Sequence, residues 1–205
     1  GRVDLVASNW GLNTPWQASE ERPLTLAYGT LSQPGTLDLM ETEWVGTGLA
    51  PRRSLMALAG SLPFLLGPFP NHRAYAQADL ETVLGERSRL ARRVGVHRLE
   101  STLFLNTGSG FEAVALPREA QWSPGFGVVV ADLDGDGRDD VFLGQNLFGL
   151  VPDLPRQDAG TGLLLRGDGT GGLAAVAPRE SGIQVWGEQR GVAVGITTRT
   201  GARIW

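Results

Sequence analysis

The chain has 205 residues, of which 41% are hydrophobic and 20% are charged, the balance of an ordinary folded protein. Its 29 glycines and 12 prolines favour many short strands joined by tight turns over a helical bundle. The net charge of −4 argues against a general nucleic-acid-binding protein, and the absence of cysteine excludes disulfides and thiolate metal sites.

No apolar run approaches the roughly 20 residues that a transmembrane helix needs. The most apolar stretch, residues 54–69, is broken by Pro63 and Pro68. We therefore expect no transmembrane segment in this chain. No signal peptide is visible, and the chain opens on Gly1 rather than Met, which is compatible with a missing upstream segment.

Residues 1–50 are predicted to hold the first, partial copies of a repeated strand–loop–strand pattern. The opening sequence GRVDLVASNW aligns with the later sequence GDGRDDVFLGQN, so that Asp4 falls on Asp140. A further copy, YGTLSQPGTLDLM at 28–40, keeps a turn glycine and a final carboxylate, Asp38. The chain thus begins midway through the first copy, and in the copy at 28–40 Thr30, Ser32 and Pro34 occupy the places of the first three aspartates.

Residues 51–98 interrupt the repeat and are predicted to form a mostly helical insertion. Apolar residues recur at near-helical spacing through AYAQADLETVLGERSRLARRVG, at 74–95. The segment 86–98 also carries five arginines. We expect a solvated helix face whose arginine stems cover apolar surface. A docking face for an acidic partner or for anionic lipid headgroups is the alternative.

Residues 99–205 are predicted to hold the better-preserved copies of the repeat. Two patterns of apolar strand, glycine-rich turn and apolar strand, at 102–116 and 162–176, indicate β-hairpins. Each is followed by a further strand and loop, and such a four-stranded unit has the size of a propeller blade. The last loop, at 196–204, keeps a glycine but none of the carboxylates.

The second hairpin contains Arg166-Gly167-Asp168, which matches an integrin-recognition tripeptide. It aligns with the turn of the first hairpin, so we interpret it as a hairpin turn. Chance occurrence in a chain rich in arginine and glycine is a simpler explanation than adhesion.

The stretch ADLDGDGRDD, at 131–140, places five aspartates within nine positions. Oxygens at alternating positions, followed by a glycine for the sharp turn, are how a short loop surrounds a hard cation. The predicted metal ligands are Asp132, Asp134, Asp136, the carbonyl of Arg138, and Asp140. The alternative is a solvated turn without metal, but carboxylates this close are costly unless a cation neutralises them.

Calcium is the cation that these donors favour. The loop offers neither nitrogen nor sulfur, so calcium ranks above zinc, with magnesium second. A helix–loop–helix calcium hand is excluded, because its twelfth position needs a bidentate Glu and Leu143 stands there. We therefore predict a β-loop-β calcium site with a structural role.

The sequence FGVVVADLDGDGRDDVFLG resembles the FG-GAP repeat, also called the VCBS repeat, the calcium-loop blade of integrin-alpha-like β-propellers. The wider layout is similar to bacterial VCBS-repeat proteins of the UnbV/ASPIC-related kind, in which helical insertions occur between blades. The resemblance implies a mainly β fold, a partial β-propeller of two to three blades with a helical insertion. Because a propeller must close its ring to hide strand edges, we expect a fragment of a longer protein or a subunit of a larger assembly.

The other copies of the loop depart from the family pattern. The residues expected to form at best a weak or degenerate metal site are Asp4, Thr30, Ser32 and Asp38. Asp4 would be the last ligand of a site whose other residues precede Gly1. The loop at 196–204 should bind no metal.

The sequence thus predicts a non-catalytic interaction module with structural calcium and a protein partner, located in the periplasm, at the cell surface or outside a bacterial cell. A carbohydrate-binding module that uses the loop residues Trp10, Trp16 and Trp44 is the alternative. An enzyme with a metal in the propeller funnel ranks last. Both histidines lie in the insertion, and the chain contains neither a Gly-x-Ser-x-Gly elbow nor a phosphate-binding glycine loop.

Overall fold

The computed structural model describes residues 2–150, 154–197 and 201–204, and its secondary structure is mainly β, as predicted. The strands are β1 (Leu5–Ala7), β2 (Leu24–Gly29), β3 (Asp38–Val45), β4 (Gly48–Pro51), β5 (Arg92–Val96), β6 (Thr102–Asn106), β7 (Phe111–Ala115), β8 (Gly125–Ala131), β9 (Asp140–Gln145), β10 (Leu163–Gly167), β11 (Leu173–Val176), β12 (Val194–Thr197) and β13 (Gly201–Ile204). The helices are α1 (Leu55–Ala59), α2 (His72–Ala76), α3 (Leu80–Leu84) and α4 (Pro178–Ser181), and 3₁₀ turns span Pro63–Leu66, Gly85–Leu90 and Arg118–Gln121.

The strands form antiparallel sheets. One is a four-stranded meander in the order β11-β10-β9-β8, and another has the order β1-β6-β7. A second four-stranded sheet has the order β4-β3-β2-β5, and β12 pairs with β13. Within the described parts of the chain, none of these sheets closes on itself.

The chain divides into two compact units. The first combines Gly1–Trp16 with Leu99–Trp205, and the second is Gln17–Arg98. The finer boundaries predicted at residues 50 and 98 stay a prediction. Among the described residues, no helix has the length and apolar character needed to cross a membrane.

In the first unit, strand β9 is buried along its whole length because apolar side chains cover both faces of its sheet. Val141 and Leu143 point into one cluster, which also contains Leu103 of β6. Phe142 points to the opposite face and packs with Val129 of β8. The alternation along β9 thus packs its sheet against sheet β1-β6-β7 and places the residue that begins the strand, Asp140, at a fully buried position.

In the second unit, one face of sheet β4-β3-β2-β5 packs against the short helices. Ala27 and Met40 from the sheet are fully buried and share a cluster with Leu58 and Leu65 from the helical segment. The helices thus cover one face of this sheet within the unit, and the other face is exposed.

The predicted helical run at 74–95 is broken into short elements. Side chains cap the starts of α2 and α3: the Asn71 side-chain oxygen accepts from the N–H of Ala74 at 2.9 Å, and Asp79 caps α3. Gly85, with a φ of 54°, ends α3. The expectation of helix is wrong for Arg92–Val96, which forms β5 and pairs with β2, because the alternating valines suit a strand once a partner strand is available.

Candidate metal-binding loop

The acidic loop connects β8 to β9 and folds around the carboxylate of Asp132. One oxygen of Asp132 accepts a hydrogen bond from the N–H of Gly135 at 2.7 Å, and the other accepts from the N–H of Gly137 at 3.0 Å. Both glycines have positive φ values near 85°, a conformation that residues with a Cβ rarely adopt. The glycines of the motif therefore allow the backbone to wrap around the first carboxylate.

Three of the predicted ligands converge. One carboxylate oxygen from each of Asp132, Asp134 and Asp136 lies within 4.8 Å of the other two. Asp132 is half-buried, while the other two are exposed. An all-oxygen donor set open to solvent fits a hard divalent cation that keeps part of its hydration shell.

Asp140 is engaged differently from these three. Its carboxylate is fully buried, and it accepts one hydrogen bond from the N–H of Leu133 at 3.1 Å and another from the N–H of Gly167 at 2.9 Å. The structure thus places Asp140 as an anchor of the loop backbone, outside the convergent set of three. Each carboxylate oxygen of Asp140 retains a second lone pair that could contact a metal. The role of Asp140 as a metal ligand therefore stays a prediction.

Arg138 lies beside the third carboxylate. Its N–H donates to an oxygen of Asp136 at 2.9 Å, and its guanidinium lies 3.5 Å from the other oxygen. The prediction that its carbonyl is a metal ligand stays a prediction.

Sequence reasoning missed one contact of the loop with another strand. The guanidinium of Arg166, from β10, donates to Asp134 at 2.9 Å and to Glu180 of α4 at 3.2 Å. These hydrogen bonds raise the pKa of Arg166 above its ordinary range, so it is a permanent cation at the loop. No pattern within the loop could have revealed it, because Arg166 reaches the loop only through the pairing of β9 with β10.

The tripeptide that contains Arg166 lies at the end of β10, and not wholly in the turn as predicted. Arg166 and Gly167 are the last two residues of the strand, and Asp168 begins the turn to β11. The carboxylate of Asp168 accepts from the N–H and hydroxyl of Thr170, at 2.7 and 2.8 Å, and from the N–H of Gly172 at 2.9 Å. These donors, those of Thr170 first, lower the pKa of Asp168. Both charged side chains of the tripeptide are thus engaged within the chain.

In the degenerate loop between β2 and β3, hydrogen bonds join the start of the loop to its last carboxylate. The carboxylate of Asp38 accepts from the N–H of Leu31 at 2.9 Å, and from the N–H and the hydroxyl of Ser32 at 2.7 and 2.8 Å. Asp38 is buried, and Thr30 at the start of the loop is exposed. Ser32 and Asp38 are therefore brought together as partners of one another.

Asp140 combines contacts that two other aspartates make singly. Asp38 accepts from the N–H seven residues before it, as Asp140 does from Leu133. Asp4, which precedes β1, accepts from the N–H of Asn106 at the end of β6, as Asp140 does from Gly167 at the end of β10. Asp38 and Asp4 thus each make one of the two hydrogen bonds of Asp140, at places where the sequence alignment put an equivalent aspartate.

The fourth copy of the loop lies partly outside the described residues. Strands β12 and β13 flank it and pair from Val194↔Ile204 to Thr197↔Gly201. The residues between them, 198–200, are not among those described.

The tryptophans predicted to bind sugar use their indole groups within the chain. Trp10 and Trp16 pack edge to face at 4.7 Å, and the ring N–H of Trp10 donates to the hydroxyl of Thr14. The ring N–H of Trp44 donates to the carbonyl of Pro23 at 3.0 Å. Trp186 is 73% exposed, more than any of these three, and lies in a stretch without regular structure before β12, where no periodic pattern marks it.

Part of the arginine-rich segment also packs internally. The guanidinium of Arg87 lies 4.1 Å from the ring centre of Phe64 and donates to the carbonyl of Leu31. Arg93 pairs with Glu81. The guanidinium groups of these two arginines thus have partners within the second unit.

Comparison with known proteins identifies no relative: no family model, no curated protein and no solved structure matches the chain. The class that the fold and the loop define is a mainly β protein with an acidic β-loop-β turn. Its function is therefore argued from the geometry of that turn.

Proposed function

We propose that this chain is a non-catalytic, calcium-binding β module of the FG-GAP/VCBS type that mediates protein–protein interaction outside the cytoplasm. The observation that carries the proposal is the convergence of the Asp132, Asp134 and Asp136 carboxylates in the β8–β9 loop. Calcium, bound there, neutralises the three charges and ties the loop between its two strands, so its role is structural.

The propeller part of the proposal rests on the repeated geometry. The meander β8–β11 has the four-stranded form of a propeller blade, and sheet β1-β6-β7 packs against it through a shared core. The recurring aspartates Asp4, Asp38 and Asp140 support an origin in copies of one repeat. We propose that these sheets are blades of a partial propeller of two to three blades.

The interaction part rests on an exposed sheet face in the second unit. Leu39 of β3 is 56% exposed, and Val94 and Val96 of β5 are 51% and 43% exposed. Strand pairing puts them on the same face as Leu26 and Tyr28 of β2. The same face also carries Glu41, which pairs with Leu26, and Arg92, which pairs with Tyr28. A face that mixes apolar and charged side chains in this way suits a protein partner.

The proposed location follows from the proposed affinity. A short exposed loop in which three carboxylates converge resembles the weaker calcium modules, with dissociation constants of about 10⁻⁴–10⁻³ M. Such a site fills only where calcium is abundant, which favours the periplasm, the cell surface or the extracellular medium.

Isothermal titration of the metal-free protein with calcium tests the site. We expect binding with a dissociation constant of about 10⁻⁴–10⁻³ M. Binding should be lost in the triple variant Asp132→Asn, Asp134→Asn, Asp136→Asn and kept in Asp139→Asn, which removes an exposed carboxylate outside the convergent set. Absence of binding in the natural chain, or binding that survives the triple change, contradicts the proposal.

A further inference from the structure

The acidic loop contacts a cation that belongs to another element of the chain. Arg166 lies on β10, and its guanidinium reaches across to Asp134, 32 residues earlier, at 2.9 Å. The same guanidinium donates to Glu180 of α4 at 3.2 Å. Arg166 therefore forks between a carboxylate of the convergent set and a carboxylate outside it.

This contact uses the carboxylate that a metal would use. Asp134 contributes one of the three convergent oxygens, and the oxygen that accepts from Arg166 is its Oδ2. If a guanidinium and a divalent cation both contact one carboxylate, their positive charges repel one another at close range. Arg166 and the metal are thus competitors for Asp134.

We infer that Arg166 is a built-in counter-ion of the loop, which holds Asp134 when no metal is bound and moves to Glu180 alone when calcium binds. This inference rests on the proposed calcium site and describes its regulation. Glu180 gives the displaced guanidinium a partner already within hydrogen-bond distance, so displacement leaves no charge unpaired.

The ion pair between Arg166 and Asp134 is weak enough for a metal ion to displace the arginine. The Arg166 and Asp134 side chains are 45% and 29% exposed, so water and salt screen the pair. An exposed ion pair of this kind changes an equilibrium constant by about two- to fivefold. Arg166 thus lowers calcium affinity by that factor without preventing binding.

The same contact links metal binding to the hairpin β10–β11. Because the contact with Asp134 exists only in the metal-free form, its loss must destabilise that form and raise calcium affinity by the same factor, since the two effects close one thermodynamic cycle. The calcium-saturated form keeps only the contact with Glu180, so it should lose less stability than the metal-free form when the arginine is replaced.

The experiment is calcium titration of the natural chain, Arg166→Gln and Arg179→Gln, together with thermal unfolding in chelator and in saturating calcium. Arg179 is the matched control, because it is an exposed arginine adjacent to Glu180 in α4 and its loss changes the net charge equally. We expect Arg166→Gln to bind calcium about two- to fivefold more tightly and Arg179→Gln to bind like the natural chain. The melting temperature of Arg166→Gln should also fall below that of the natural chain by more in chelator than in calcium.

The outcomes separate this inference from the proposed function. Equal affinity in the natural chain and in Arg166→Gln, or an equal gain in Arg179→Gln, overturns the inference and leaves the calcium site standing. Binding by Arg166→Gln alone would mean that Arg166 prevents binding, which overturns both the inferred two- to fivefold competition and the calcium site of the natural chain. Absence of binding in all three proteins overturns both.

Discussion

The buried carboxylate of Asp140 accepts a hydrogen bond from the backbone N–H of Gly167 at 2.9 Å, which ties the acidic loop to strand β10. Its other oxygen holds the N–H of Leu133 at 3.1 Å. One side chain thus fastens both the start of the loop and the neighbouring strand. Because the carboxylate is out of contact with water, its hydrogen bonds contribute more to the free energy of unfolding than those of the exposed aspartates around it.

Replacing Asp140 by Ala should destabilise the protein even in chelator. The change leaves two backbone donors without an acceptor at a buried position, so the free energy of unfolding should fall by about 3 kcal/mol. Denaturant unfolding of the metal-free protein measures it. The matched control is Asp139→Ala, an exposed neighbour whose loss should stay within about 0.5 kcal/mol. Equal effects of the two substitutions would contradict the anchoring role.

The degenerate loop at Asp38 should respond to mutation but not to calcium. Asp38→Ala removes the acceptor for the N–H groups of Leu31 and Ser32, and we expect a loss of about 2–3 kcal/mol. Ser32→Ala removes only the hydroxyl contact and should cost about 1 kcal/mol. Both values are measured by unfolding in chelator and again in calcium; a calcium-dependent difference at Asp38 would indicate that this loop binds metal after all.

Calcium should raise the thermal stability of the natural chain. A ligand that binds only the folded state at a hundredfold excess over its dissociation constant stabilises by about 2.7 kcal/mol. Melting curves recorded in chelator and in excess calcium measure the shift, and the triple variant of Asp132, Asp134 and Asp136 should show none. An unchanged midpoint in the natural chain would exclude a structural role for the metal.

Gly167→Ala should disrupt the contact between the loop and the hairpin. A Cβ at this position would lie 2.0 Å from the backbone carbonyl oxygen of Asp139, a distance that forces the two strands apart. We expect the free energy of unfolding to fall by about 2–3 kcal/mol, as in an overpacked core. Gly187→Ala is the control, because a Cβ there meets nothing within 4 Å. A neutral Gly167→Ala would mean that the two strands separate easily.

The turn at Asp168 should contribute a pH-dependent part of the stability. Its pKa is lowered from the ordinary value of 3.8, chiefly by the N–H of Thr170. A lowered pKa means that the contribution is complete above the ordinary value and is lost as the pH falls through the folded-state pKa. Melting temperatures of the natural chain and of Asp168→Asn should therefore differ above about pH 4 and converge in stronger acid. A constant difference across this range would contradict the assignment.

The sequence predicted the strands and the turn of the site because both depend on neighbours in the chain. Short continuous apolar runs mark β8 and β9, and the glycines at 135 and 137 mark a turn that needs positive φ. The hairpins β6–β7 and β10–β11 follow from the same signals. The mainly β class was predictable for this reason.

The sequence also failed where a distant segment decided the outcome. The residues at 92–96 form a strand because β2 pairs with them, and no periodicity within 74–95 reveals that partner. The exposure of Trp186 and the engagement of Trp10 are likewise set by surroundings and not by the residue type.

By itself, therefore, the sequence determined where the acidic loop lies, which glycines allow it to turn and which carboxylates it offers, since these are properties of a few consecutive residues. Only the tertiary structure decided how those carboxylates are used. The pairing of β9 with β10 buries Asp140 against Gly167 and brings Arg166 onto Asp134, contacts between residues 27 and 32 positions apart. Strand register, which depends on packing across the whole sheet, sets such contacts.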